Sequence, residues 1–131
     1  MLKTYFAVML GGALGTAMRM ALSGWLAAKF GETFPVGTIL VNVSGCFIIG
    51  IFAALAGPGG IFSTSPLTQQ VVMIGVLGGY TTFSSFGLQT FYFLQRGEWF
   101  RGAMNAGLSL VLCVLAVWLG HIVAMLFNQR A

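Results

Sequence analysis

Long apolar runs, each interrupted by only a few polar positions, follow one another along the whole chain. A helix needs about 20 apolar residues to cross a bilayer, and four of the runs reach that length. Polar or Gly/Pro-rich stretches separate the runs, and such stretches end helices. The predicted spans are residues 4–28, 36–55, 67–94 and 100–127. The pattern therefore predicts an all-α membrane protein with four transmembrane helices, forming a single domain over residues 1–131.

Composition agrees with lipid as the surrounding solvent. Of the 131 residues 58% are hydrophobic and 6% are charged, whereas a soluble domain is about 25% charged. The net charge of +4 comes from scattered basic residues, which argues against a nucleic-acid-binding face because such a face needs a cluster. Cys46 and Cys113 both fall inside apolar runs and are interpreted as buried free thiols.

The basic residues say little about orientation. Four spans put both termini on one side of the membrane, where Lys3 and Arg130 lie, and the other side carries Lys29, Arg96 and Arg101. Orientation follows the excess of Lys and Arg on the cytoplasmic side, and here that excess is small. Insertion in both orientations, and hence an antiparallel homodimer, is an open possibility.

Size also favours a dimer, because a four-helix bundle fills its own centre with side chains. Any transport route is therefore expected between subunits. Gly11 and Gly15, and likewise Gly75 and Gly79, have the small-xxx-small spacing that lets helices approach closely. We expect these two motifs to support contacts between subunits.

Arg19 is the only charged residue that lies well inside a predicted span, since Arg101 is at the very start of the fourth. Two interpretations stay open: the side chain extends to the interface, or it provides a positive potential that draws an anion into a vestibule. The only acidic residues, Glu32 and Glu98, lie in connectors. A proton-coupled exporter needs a titratable group on its path, and no span supplies a carboxylate.

Neutral polar residues recur at helical spacing on three of the spans. They are Thr38, Asn42 and Gly45 on the second, Ser85 and Gln89 on the third, and Asn105 and Ser109 on the fourth. Interhelical hydrogen bonds would explain one or two such residues. Three uncharged stripes favour a hydrated seam, since amides and hydroxyls donate to an anion without adding a counter-charge.

The stretch "GVLGGYTTFSSFGLQ" in the third span combines glycines, hydroxyls and aromatic rings. Phe83 and Phe86 share a helix face, and a ring edge is positive enough to contact an anion. Adjacent Gly78 and Gly79 weaken the helix, so a break is predicted near Gly78 to Thr81. Carbonyls freed there must find partners in lipid, either threonine hydroxyls or a hard cation such as Na⁺.

Three motifs resemble those of the Fluc (CrcB) family of fluoride channels: "GGALGTAMR", "GTILVNVSGCFIIG" and "GGYTTFSSF". The resemblance covers essentially the whole chain. It implies an antiparallel, dual-topology homodimer with two fluoride pores in the bacterial inner membrane. Such a protein is a passive channel rather than an enzyme; it lets cytoplasmic fluoride leave down its electrochemical gradient and so reduces fluoride toxicity.

The resemblance also implies roles for individual residues. By similarity the fluoride pore would use Arg19, Asn42, Phe83, Ser85, Phe86 and Ser109. The two phenylalanines would form aromatic boxes around fluoride, and the two serines a hydroxyl track. Backbone carbonyls of Gly78 and Thr81 from both subunits would hold a structural Na⁺. Gln89 stands where many relatives carry Glu, and Asn105 where members often carry an aromatic residue; the resemblance assigns neither a role.

Two rival readings remain. A small dual-topology multidrug exporter would be proton-coupled, and the missing intramembrane carboxylate argues against it. A purely structural assembly subunit would have no transport role, and replacing Asn42 or Phe83 would change only its stability.

Overall fold

The chain folds into helices throughout, in a computed structural model that describes residues 1–62 and 64–129. Arg130, one of the two basic residues expected beside the termini, lies outside the described residues. The helices are α1 (Leu2–Phe30), α2 (Val36–Ala56), α3 (Pro66–Gln70), a π-helical segment (Val71–Leu77), α4 (Gly78–Tyr80), α5 (Phe83–Gln95) and α6 (Trp99–Asn128).

Four helical stretches within the described residues are long and apolar enough to cross a membrane. They are Leu2–Phe30, Val36–Ala56, Pro66–Gln95 and Trp99–Asn128. The third stretch contains α3, the π-helical segment, α4 and α5, and is called the third span below. The prediction of an all-helical protein with four membrane-spanning helices is confirmed.

Local sequence explains where several helices begin and end. Gly31 after α1 and Gly97 after α5 have φ of 75° and 76°, a left-handed conformation that glycine adopts without strain. Ser65 caps α3, because its hydroxyl accepts the Thr68 N–H at 3.1 Å. Pro66 takes the first helical position, where its missing N–H costs nothing.

The first half of the third span packs on α1 through backbone contact at glycines. A Cβ added at Gly15 would lie 2.9 Å from the Tyr80 nitrogen, and one at Gly79 would lie 3.1 Å from the carbonyl carbon of Gly12. The two small-xxx-small motifs therefore face each other within one chain. The expectation that they support contacts between subunits is corrected, because their bare surfaces are already used inside the protomer.

α2 and α6 form the most extensive helix pair. A Cβ at Gly50 would lie 3.1 Å from the Val117 Cα, and further along both helices Asn128 donates to the Ala54 carbonyl at 3.4 Å. Contacts that advance along both helices together mean that α2 and α6 run in the same direction.

The buried interior is small and contains several polar residues. Buried polar side chains are those of Thr38, Asn42, Thr82, Asn105 and Ser109. Most large apolar side chains lie on the outside instead, as expected of a protein whose surroundings are acyl chains.

Candidate functional site

The third span is interrupted at Thr81 and Thr82, between α4 and α5. Thr81 has φ −80° and ψ 158°, and Thr82 has φ −148° and ψ 102°, so both have extended backbone. The Thr81 hydroxyl donates back to the Leu77 carbonyl at 3.0 Å. Thr82 caps α5, since its hydroxyl accepts the Ser85 N–H at 3.3 Å.

Asn42 on α2 holds the interruption in place with both ends of its amide. Its Oδ1 accepts the Thr82 N–H at 2.7 Å, and its Nδ2 donates to the Thr82 carbonyl at 3.0 Å. Both residues are buried. An unpaired peptide group would be costly at this depth, so the side chain of Asn42 replaces the helical partners that Thr82 lacks.

The carbonyls of residues 78–81 lose their helical donors at the interruption, and for Gly78 and Thr81 the structure shows where the donor goes instead. In a continuous helix each N–H donates to the carbonyl four residues earlier. The Thr82 N–H, whose helical acceptor would be Gly78, donates to Asn42 instead. The Ser85 N–H, whose helical acceptor would be Thr81, donates to the Thr82 hydroxyl. The carbonyls of Gly78 and Thr81 are therefore left without the donors that an unbroken helix supplies.

Hydroxyl groups next to the interruption are oriented by the same bonds. The Thr82 hydroxyl donates to Ser85 Oγ at 2.8 Å. Because a hydroxyl has one hydrogen and two lone pairs, Ser85 accepts from Thr82 and keeps its own hydrogen for another acceptor. Asn42 likewise retains one amide hydrogen beyond the one that it donates to Thr82.

Phe83 and Phe86 lie in the first turn of α5, directly after the interruption. Their ring centroids are 5.2 Å apart, with the planes inclined at 47°. Phe86 is half-buried, whereas Phe83 is 82% exposed in the single chain. The rings form a pair, but this chain alone places no surface over Phe83.

A cavity of about 860 Å³, called the vestibule below, opens between α1, α2 and α5. Its walls include Arg19, Arg96 and Arg101 and a single acidic residue, Glu32. Arg101 also pairs with Glu98 at 2.7 Å. Cationic residues therefore outnumber acidic ones around the vestibule, and a positive potential draws anions toward such a cleft.

Neutral donors and acceptors line the inner part of the vestibule. Thr82, Ser85, Gln89 and Thr38 all border it, and Gln89 Nε2 donates to Thr38 Oγ1 at 2.9 Å. Among the described residues, neither Gln89 Oε1 nor Arg19 Nε has a hydrogen-bond partner, although both atoms are buried. Buried polar atoms without protein partners need water or a solute.

A second polar group connects α5 with α6. Asn105 Nδ2 donates to the Thr90 hydroxyl at 2.8 Å, and that hydroxyl donates to the Phe86 carbonyl at 2.8 Å. Within the chain from 1 to 62 and 64 to 129, Asn105 Oδ1 and Ser109 Oγ are buried without a partner. These two oxygen atoms can therefore also form hydrogen bonds to water or a solute.

The neutral polar stripes of α2 and α6 lie in matching positions. The pairs Thr38 and Asn105, Asn42 and Ser109, Cys46 and Cys113, and Gly50 and Val117 are each separated by the same number of residues. The last pair is in backbone contact, and neighbouring residues of α5 bond to both members of the first pair. We call these pairs the α2–α6 ladder.

The structure thus brings some of the predicted site residues together and separates others. Arg19 and Ser85 border the vestibule, Asn42 lies against the interruption, and Ser109 lies on the α2–α6 ladder. Phe83 lies on an uncovered surface.

Sequence reasoning missed Thr82, which links Asn42 to Ser85. A threonine directly ahead of an apolar helix is a helix-start signal that identifies it. It also used Arg96 and Arg101 only to argue about orientation in the membrane, although both border the vestibule.

Comparison with known proteins places the chain among similar sequences. Residues 6–121 match the family model described as CrcB-like protein, Camphor Resistance (CrcB). A protein of Opitutus terrae named fluoride-specific ion channel FluC is 54% identical over 128 residues, which is 98% of this chain and 97% of that protein. Proteins of the same name are 50% identical in Methylocella silvestris, over 95% of both chains, and 48% identical in Rhodospirillum rubrum, over 96% of this chain and 98% of the other.

Proposed function

The chain belongs to the CrcB family, and on that premise we propose that it is a passive, fluoride-selective channel that exports cytoplasmic fluoride. The resemblance predicted from its motifs is confirmed. The chain is a multi-pass protein of the bacterial inner membrane and a transporter rather than an enzyme. The name carried by its relatives, fluoride-specific ion channel, supports the choice of ion.

One observation carries the proposal: a positively charged vestibule ends at neutral hydrogen-bond donors. The arginines concentrate anions at the entrance. Beyond them Ser85 has an unused hydroxyl hydrogen and Asn42 an unused amide hydrogen. Fluoride is small and strongly hydrated, so its passage requires donors that replace water. Neutral donors do so without the trapping that a buried cation would cause.

Passive movement fits the absence of an intramembrane carboxylate. The sequence has two acidic residues, Glu32 and Glu98, and both lie outside the four membrane-spanning stretches. Proton-coupled exporters carry Asp, Glu or His on the intramembrane path, and here the four stretches hold only His121, toward the end of α6. The proposed channel lets fluoride follow its electrochemical gradient.

The functional unit in this proposal is an antiparallel, dual-topology homodimer. In the single chain the outer side of the interrupted span is uncovered: Ile74, Gly78, Phe83 and Ser84 are all exposed there. Lipid cannot hydrogen-bond to backbone or hydroxyl groups. A second copy related by a two-fold axis would cover this strip with its own identical strip.

Two pores, one on each side of the two-fold axis, follow from that assembly. Phe83 and Phe86 are proposed to present their positive ring edges to fluoride, after the partner subunit covers the exposed ring of Phe83. Ser109 supplies a further hydroxyl on the α2–α6 ladder, and its Oγ has no partner among the described residues. Fluoride would thus pass between hydroxyls, amides and ring edges.

A structural Na⁺ is proposed at the centre of the dimer, held by the carbonyls of Gly78 and Thr81 from both subunits. The residues fit such an ion, because hard cations prefer oxygen ligands and these carbonyls lack their helical donors. An exposed Gly78 without a Cβ leaves room for close approach. When bound, Na⁺ would supply positive charge that these oxygens neutralise and would join the two copies.

Efflux from liposomes tests the function. Purified protein is reconstituted into vesicles loaded with either potassium fluoride or potassium chloride, and anion release is followed after valinomycin is added. We expect rapid fluoride release and chloride release no faster than in protein-free vesicles. Equal release of the two anions would contradict the proposed selectivity.

Thermal unfolding in detergent tests the sodium site separately from transport. We expect a higher midpoint in sodium chloride than in N-methyl-D-glucamine chloride of the same ionic strength, because a ligand that binds only the folded state raises its stability. Potassium chloride serves as the control for small cations. Identical midpoints in all three salts would contradict a bound Na⁺.

A further inference from the structure

Cys46 and Cys113 are the only cysteines of the chain, and the proposed channel uses neither. Both are free and half-buried. Cys46 lies near the middle of α2, and Cys113 near the middle of α6. They are the third pair of the α2–α6 ladder, one helical turn beyond Asn42 and Ser109.

Backbone geometry places these two cysteines at facing positions of α2 and α6. One turn further along both helices, a Cβ at Gly50 would lie 3.0 Å from the Val117 carbonyl carbon, so the two helix backbones are in direct contact there. Residues four positions apart lie on the same helix face. The side chains of Cys46 and Cys113 therefore lie close to each other beside this contact.

The environment restricts which ligand two thiols can hold here. Hard cations prefer oxygen, whereas thiolates select soft metals. Zn²⁺ requires four ligands in its structural sites, and the described residues contain no group of three or more His, Cys, Asp or Glu side chains. The two thiols by themselves can therefore complete the coordination only of a cation that needs two sulfur ligands.

Charge selects further among soft cations. The thiols lie at mid-depth in the membrane, where an uncompensated charge is expensive. Two thiolates around a monovalent ion such as Ag⁺ would leave one negative charge, but around a divalent ion they leave none. A soft, divalent cation with linear two-coordinate bonding, of which Hg²⁺ is the representative, leaves the site neutral.

We propose that Cys46 and Cys113 form a two-thiolate binding site for a soft divalent cation, joining α2 to α6 inside one protomer. With mercuric chloride, both S–H bonds and both Hg–Cl bonds break and two S–Hg bonds form. Two protons and two chloride ions are released, and no oxidation or reduction takes place. The α2–α6 ladder connects the pair with the polar residues nearer the vestibule.

Mass spectrometry of the intact chain after mercuric chloride treatment tests the site. The purified channel is treated, washed with excess 2-mercaptoethanol and weighed, alongside Cys46→Ser, Cys113→Ser and the double variant. For the unsubstituted chain we expect one mercury atom gained and two hydrogens lost, with no chloride retained. We expect the single-cysteine variants to lose mercury in the wash, because a competing monothiol displaces a single sulfur bond more easily than a chelate.

Thermal unfolding gives a second readout that does not depend on fluoride transport. Mercury should raise the midpoint of the unsubstituted chain, since it cross-links two helices, and leave the double variant unchanged. Three results would overturn the proposal: two mercury atoms per chain with chloride retained, equal retention by a single-cysteine variant, or no adduct until the protein is denatured. Each means that the thiols do not act as a pair in the folded protein.

Discussion

The two sides of the interrupted third span differ in how far their polar groups are hydrogen-bonded and buried. On the side facing α2, Asn42 bonds both peptide groups of Thr82 and the region is buried. On the outer side Gly78 and Phe83 are exposed, and the carbonyls of Gly78 and Thr81 lack their helical donors. One chain therefore builds the inner half of the site by itself and leaves the outer half for another molecule.

The difference separates two kinds of requirement. The inner side must be satisfied before the chain is stable in lipid, because unpaired peptide groups are costly there. The outer side needs to be satisfied only in the proposed dimer. Substitutions on the inner side should thus affect folding and transport together, and substitutions on the outer side should affect transport first.

Asn42→Ala removes the hydrogen bonds that satisfy the inner side of the interruption. Of the four substitutions it should reduce efflux and stability most. It leaves the N–H and carbonyl of Thr82 unpaired, at about 1–3 kcal/mol for each buried group. We expect fluoride efflux at the level of empty vesicles and a lower midpoint of thermal unfolding. The control is Ser44→Ala, which removes a hydroxyl bonded to the Tyr80 hydroxyl at 2.8 Å and to the Val41 carbonyl at 3.1 Å and should cost about 0.6 kcal/mol. Equal losses of efflux and of thermal stability in the two variants would mean that the bonds from Asn42 to Thr82 are unimportant.

Phe83→Ile acts on the outer side, where we expect a large loss of transport without loss of the dimer. Isoleucine preserves the apolar bulk but lacks the positive ring edge. Fluoride efflux should fall about tenfold or more, equivalent to at least about 1.4 kcal/mol in the barrier. Efflux rate and the elution volume of the dimer are measured on the same preparation. Unchanged efflux would take this ring off the fluoride path.

Gly15→Ala tests the helix contact that positions both sides. The added Cβ would lie 2.9 Å from the backbone nitrogen of Tyr80, and backbone atoms cannot move aside easily. We expect a loss of about 1–3 kcal/mol in stability, measured by thermal unfolding. Gly24→Ala on the same helix has nothing within 4 Å of the new Cβ and should be neutral or slightly stabilising. Matching losses in both variants would mean that the close contact is unimportant.

Gln89→Glu should have the smallest effect of the four. Gln89 donates to the Thr38 hydroxyl, and a carboxylate would accept a bond from that hydroxyl instead. The added negative charge repels anions, but solvent and the arginines of the vestibule weaken that repulsion. We therefore expect efflux to fall by about threefold or less. Gln89→Leu, which cannot bond to Thr38, is the comparison variant. Loss of efflux as complete as that expected for Asn42→Ala would mean that the charge at position 89 controls transport.

The four spans were predictable because membrane helices are specified by length and apolarity, which are local properties. Arg19 was predictable as a functional candidate for the same reason, since a charge inside an apolar run is conspicuous. The motifs also carried the family, and the family comparison confirms it. None of these inferences required knowledge of which helix touches which.

Contacts between helices were the part that sequence reasoning did not reach. The glycine motifs of α1 and the third span look alike whether they meet within one chain or between two, and the structure places them within one. Asn42 was recognised as polar and buried, but its bonds to Thr82 depend on how α2 packs against the interruption. Likewise, the matching of α2 with α6 appears only once these two helices are known to be in contact.

Tryptophan quenching by brominated lipids tests most directly whether a second copy completes the outer side. Phe83→Trp is introduced after the three native tryptophans are changed to Phe, and Val114→Trp, at an exposed position of α6, serves as the lipid-facing control. We expect strong quenching at position 114 and little at position 83, because the partner subunit covers it. Quenching at position 83 as strong as at position 114 would place that ring in lipid and contradict the account.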